Sequence, residues 1–255
     1  MIKDIENYLF TEDDYETFSR KYCFDDSIDA NRRRSIVQNK LKTIHTDISK
    51  SLLDNNLEIS QHYNQRNLTS LPFINATTSK AEGINWMGLR YGITASKAKE
   101  LGFPITGKDK ISSFLDHQCF QIDIFDSGIQ IGLFHSTKNG TFDSAYIEKQ
   151  LKSNNIELIS AINNEVNNLK GLGLCWEIGD KVFNIDAQDS NTFCDFYIHN
   201  IQPGIYVKCV INIPKYDIRL TKDNIASTCE FYINQLYDLY KILSWNRNNK
   251  EVYHG

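Results

Sequence analysis

The chain is poor in the residues that break or staple a fold: its 255 residues include 4 Pro, 13 Gly and 6 Cys, and no two cysteines form a CxxC pair. So little Pro and Gly argues against a collagen-like or low-complexity chain. The cysteines, Cys23, Cys119, Cys175, Cys194, Cys209 and Cys229, are scattered, several within apolar runs. They read as reduced core thiols of a cytoplasmic protein rather than as a disulfide framework or metal site. No run of 18 apolar residues occurs, so no membrane span is predicted. The opening MIKDIENYLFTEDD meets acidic residues at once and has no basic stretch followed by an apolar one, which predicts no secretory signal.

What the chain does have is apolar residues enough for a sizeable core, 41% of the total with 12% aromatic. Its net charge of −4 hides a strong division along the sequence. Residues 1–30 carry 3 Lys and Arg against 9 Asp and Glu, residues 31–110 carry 13 against 6, and residues 111–255 carry 12 against 17. A basic middle between acidic ends points to an anionic partner for the middle segment, either nucleic acid or an acidic protein surface.

Periodicity predicts an α+β fold. Thr11 and Asp14 stand at capping-box spacing and start a helix running to about Cys23. A longer helix spans Ser27 to Asn55, with Val37, Leu41, Ile44, Ile48 and Leu52 as its core stripe and Arg32, Lys42 and Lys50 on the far side. Residues 58–83 read as a long irregular connection, followed by a strand at Ile84–Tyr91 and a short helix at Thr94–Leu101. FQIDIF and IQIGLF alternate about Asp126-Ser127-Gly128, a hairpin pattern. A helix is predicted over Ser144–Leu169, stopped by Gly171 and Gly173. Two more hairpins are readable, CWEI with KVFNI and FCDFYIHNI with IYVKCVINI, before a last amphipathic helix from Thr221. The expectation is one domain over residues 1–245, helical to about residue 57 and sheet-containing from about 84, with 246–255 as a loose tail. Its sheet is expected to be a six-stranded antiparallel meander of three hairpins.

Catalytic templates fail on spacing. A metal-dependent nuclease needs two carboxylates for Mg²⁺ and a nearby Lys. Asp123, Asp143, Glu177 and Lys181 are the available set, but Gly179-Asp180 between the last two reads as a hairpin turn, and Asp143 as a helix cap. Mg²⁺ enters only under that alternative, and no cofactor is otherwise predicted. The histidines show no HxH or HExxH spacing, and pairing Cys119 with His117 or His135 would require a base in hydrogen-bond reach and an orienting third group, whereas the neighbouring Phe120 and Ile122 suffice to explain the segment. No phosphate-cradling glycine motif is present.

A basic and aromatic constellation remains: Arg32, Arg33, Arg34, Lys40, Lys42 and Lys50 on the long helix, then Arg66, Lys80, Trp86, Arg90, Tyr91, Lys97 and Lys99. Cations neutralise phosphates and aromatics stack on bases, the chemistry of sequence-tolerant nucleic-acid binding. The competing explanation is a solvated helix face and a core Trp, with the acidic N-terminal helix neutralising the basic one.

LFTEDDYETF, a long helix, a loop with His62 and Arg66, INWMGLRYG and HQCFQIDIFDSGIQIGLF follow one another in an order that resembles the YktB-type family of uncharacterised bacterial proteins. The hairpin, the helix after it and LCWEIGDK resemble uncharacterised domains found near bacterial restriction and defence genes. The chain departs from the YktB-type pattern in having Arg66 alone near His62 and in inserting residues 93–116. These resemblances imply fold more than chemistry, and neither family offers catalytic residues to carry over. The resulting expectation is a non-catalytic nucleic-acid-binding or partner-binding protein, in a bacterial defence or restriction setting and able to join a hetero-complex. A Mg²⁺-dependent nuclease and a purely protein-interacting module are the alternatives.

Overall fold

The computed structural model describes residues 5–55, 57–61, 83–100, 117–137 and 142–244. Its helices are α1 (Glu12–Glu16), α2 (Ile28–Asp54), α3 (Ala95–Glu100), α4 (Phe142–Lys152), α5 (Ile156–Asn168), α6 (Phe193–Asn200) and α7 (Ile225–Leu243). Its strands are β1 (Ile59–Gln61), β2 (Met87–Ile93), β3 (Cys119–Ile124), β4 (Gly128–Ser136), β5 (Cys175–Ile178), β6 (Lys181–Asn184) and β7 (Tyr206–Pro214). They form one antiparallel sheet in the order β1-β2-β3-β4-β7-β5-β6, so the α+β class read from the sequence is observed. No helix among the described residues is long and apolar enough to cross a membrane.

Several local expectations are corrected. FCDFYIHN is helix α6, not a strand, because Phe193, Cys194 and Tyr197 are buried at helical spacing, and Asp189 caps the 3-10 turn leading into it by accepting from the Asn191 amide. Without that strand the third hairpin does not exist. β7 instead runs between β4 and β5, so the sheet is not a sequential meander. The helix expected over 144–169 is two helices, because Asn154 takes a left-handed conformation (φ 56°) and Asn155 caps α5 by accepting from the Leu158 amide at 3.2 Å. The first helix ends at Glu16, not near Cys23, although its Thr11–Asp14 capping box forms. A strand the sequence did not suggest, β1, lies within the stretch read as irregular; residues 62–82 of that stretch and the tail from 245 lie outside the described residues.

The core occupies one face of the sheet. Leu89, Ile122, Ile131 and Ile211 stand in one cross-strand row, and Tyr91, Phe120, Leu133, Cys209, Trp176 and Phe183 in the next. All join a single apolar cluster with the buried stripes of α2, α4, α5, α6 and α7, which reaches from Tyr8 to Leu243. His135 points into this core face, with Nε2 3.0 Å from the Tyr197 hydroxyl. Burial lowers its imidazole from 6.5 to about 4. Between those values the unfolded chain binds a proton that the folded chain refuses, so stability falls as pH drops through that window, by up to about 3 kcal/mol. Urea midpoints across the window, compared with those of His135→Gln, measure this. The variant should show a shallower acid slope.

Candidate binding face of the sheet

The basic constellation that runs together in sequence is divided by the fold. Arg34 is buried and holds the turn before α2, donating to the carbonyls of Asp25 and Tyr22 at 2.8 Å each and to Asn31 Oδ1 at 3.0 Å. Arg33 lies 3.5 Å from Asp13 and over the Tyr22 ring, and Lys40 pairs with the buried Asp14. The acidic first helix therefore takes up part of the basic charge of α2. Arg32, Lys42 and Lys50 are exposed, but Asp29 and Asp47 are exposed on the same helix. The three cations are spaced about 15 and 12 Å apart along the axis, sparse against a phosphate every few ångströms. Tyr91 is buried on the core face with its hydroxyl 2.9 Å from His45 Nδ1. Lys97 pairs with Glu100 at 3.2 Å and Glu58 at 3.8 Å. Arg66 lies outside the described residues.

Trp86 and Arg90 belong to the opposite side of the sheet from α2. Residues alternate along a strand, so Gly88 and Arg90 face away from Met87, Leu89 and Tyr91, which join the core. On this second face Arg90 is ion-paired with Asp123, its Nη2 3.5 Å from Asp123 Oδ2, and its guanidinium lies 4.7 Å from the Trp86 ring centre. Gly88 is the cross-strand partner of Asp123. A Cβ there would stand 1.9 Å from Asp123 Oδ1, so the pair depends on that glycine. Burial raises the Asp123 carboxyl despite the attraction of Arg90.

The polar character continues across the next strands. Gln130 stands opposite both Asp123 on β3 and Asn212 on β7. Its amide donates to Asn212 Oδ1 at 2.9 Å and approaches Glu177 Oε2 at 3.4 Å, while its oxygen accepts from Lys208 Nζ at 3.0 Å. Asn212 donates to Glu177 Oε1 at 3.1 Å, and Lys208 and Glu177, cross-strand partners, lie 3.8 Å apart. Exposure changes across this face. Arg90, Gln121, Asp123 and Gln130 are buried, Lys208 and Glu177 are half-buried, and Tyr206, Asn212 and Val182 are exposed. The Tyr206 ring lies 5.0 Å from that of Phe134, centre to centre. The buried apolar residues here, Cys119, Phe134 and Val210, are not part of the main core cluster.

The nuclease set is not assembled among the described residues. Asp143 accepts from the Gln118 amide at 2.7 Å and lies 3.2 Å from His117 Nδ1, just before β3, whereas Asp123 is near that strand's far end. Lys181 is the partner of Ile178 and so faces away from Glu177; it pairs with Asp180 at 3.1 Å. Among the described residues no three His, Cys, Asp or Glu side chains come together as metal ligands. Burial pushes the Cys119 thiol up to about 11, and His135 faces the other side of the sheet, so a thiolate–imidazole pair does not form between them.

Sequence reasoning passed over Gln130, Lys208 and Asn212. The available signal was the polar half of each alternation, Gln121/Asp123, Gln130 and Lys208/Asn212, which becomes one surface only when the strands are set side by side. Neither a protein-family model nor a curated protein matches the chain.

Proposed function

We propose that this chain is a non-catalytic nucleic-acid-binding protein that receives a single-stranded segment on the second face of the sheet. The observation that carries this reading is the row of Tyr206, Lys208, Glu177 and Asn212, open or half-open to solvent where β7 meets β5. An exposed aromatic beside a cation, donors and acceptors suits an unstacked base, the usual target of single-strand recognition on sheet surfaces. Stability is a weak competing reason for the ionic part of this face, since buried pairs such as Arg90–Asp123 are often replaceable by apolar residues without loss. The exposed cations of α2 lie on the other side of the molecule and are not required.

Fluorescence anisotropy with short labelled single-stranded RNA and DNA, and with a duplex control, tests this. Single strands should bind better than duplex. Having one cation in the row, the complex should weaken only about 3-fold from roughly 50 to 200 mM salt. Tyr206→Ala should cost about 1–3 kcal/mol of binding, while Ala at Arg32, Lys42 and Lys50 together leaves binding unchanged. No binding to any single strand at low salt overturns the proposal.

A further inference from the structure

Resting on that reading, we infer that Lys208 and Glu177 form a recognition site for the Watson–Crick edge of guanine. Their side chains are 23% and 26% exposed, so both are held in place yet remain partly open to solvent. Gln130 and Asn212 fix them: the Gln130 oxygen takes one ammonium hydrogen at 3.0 Å, its amide lies 3.4 Å from Glu177 Oε2, and the Asn212 amide gives one hydrogen to Glu177 Oε1 at 3.1 Å. An ammonium has three hydrogens and a carboxylate about four acceptor sites. Capacity therefore remains on both groups, and at 3.8 Å they do not satisfy one another.

The result is a fixed donor beside a fixed two-oxygen acceptor. Guanine presents the complement, an O6 acceptor followed by the N1 and N2 hydrogens, so the lysine meets O6 and the carboxylate takes both hydrogens. Adenine offers an amino group and a ring nitrogen, and cytosine an amino group, a ring nitrogen and the O2 acceptor, so either satisfies the lysine and only one carboxylate oxygen. Uracil sets its O2 against the second carboxylate oxygen, which repels it. Tyr206 stands two residues before Lys208 on the same face of β7 and supplies a surface for the ring. Val182, exposed and opposite Glu177 on β6, offers the edge an apolar border.

The test is anisotropy titration with labelled uridine oligonucleotides carrying a single central guanine, adenine, cytosine or hypoxanthine, and with an all-uridine strand. The guanine strand should bind about 5- to 100-fold tighter than the others, the range of one good two-bond contact. Hypoxanthine, lacking the 2-amino group, should lose most of that advantage without any change to the protein. In Glu177→Gln the amide offers one acceptor where the carboxylate offers two, and the ratio of guanine to adenine affinities should fall to about one. Equal binding of all strands by the unaltered protein overturns the inference and leaves the single-strand reading intact. A guanine advantage that survives Glu177→Gln also overturns it, since the edge would then be read elsewhere. Absence of binding to every strand removes both.

Discussion

Arg90→Met lowers the unfolding free energy by about 3–5 kcal/mol at neutral pH, the range for breaking a buried ion pair from one side. The measurement is a fall in the urea midpoint at unchanged slope. The variant keeps the Asp123 carboxyl in place, 4% exposed, but removes the cation that partly offsets its burial. Its pKa, already raised in the folded state, rises further. A raised folded pKa makes the folded chain bind the proton more readily than the unfolded one. Stability is then full below the ordinary carboxyl value and is lost as pH climbs through the folded one. The defect should therefore shrink on acidification, opposite to the direction set by His135. Arg90→Met with Asp123→Leu should regain most of the loss, since replacing a buried ion pair on both sides by apolar residues is often neutral or stabilising. A double variant as unstable as the single one would show that the pair contributes net stability.

Gly132→Ala is expected to cost about 3 kcal/mol, the upper end for overpacking. A Cβ at 132 would stand 2.1 Å from the Cys209 carbonyl oxygen and 2.7 Å from the Val210 Cα, both on the backbone of the neighbouring β7. Backbone already committed to the β4–β7 ladder can move only by parting the two strands. Gly171→Ala makes the contrast. There φ is +83° with nothing within 4 Å of an added Cβ, so the expense is conformational alone, about 1 kcal/mol. Thermal unfolding of the two variants separates crowding from backbone strain. Similar losses in both would mean that β4 and β7 can part at little cost.

Elements whose pattern is local were legible. The 3.6-residue recurrence of Val37, Leu41, Ile44, Ile48 and Leu52 marks α2 without outside information, and the alternation on either side of Gly128 marks the β3–β4 hairpin. α6 was not, because a run as apolar as FCDFYIHNI suits either period and its helical state follows from packing Phe193 on Trp176 and Phe183. The place of β7 in the sheet was not legible either, since nothing in IYVKCVINI says which strands will flank it. The candidate site fared likewise. Neighbouring cations in sequence, Arg32, Arg33 and Arg34, part company on a helix because successive residues are turned by about 100°, and Arg34 ends in the interior. The row that replaces them draws on Gln130, Glu177 and Lys208, far apart in sequence and adjacent only by strand pairing.

The insertion of β7 between β4 and β5 also sets a timetable for synthesis. β4 ends at Ser136 and β7 begins at Tyr206, so 70 residues must be made before the free edge of β4 meets its partner. At roughly 5–20 residues per second, a ribosome leaves that edge open for roughly 4–14 s. The strand so exposed, GIQIGLFHS, is uncharged apart from its histidine and has no proline. During that interval the nascent chain is at its most prone to pair with another copy of itself, and a chaperone that shields extended apolar strands would act on it then.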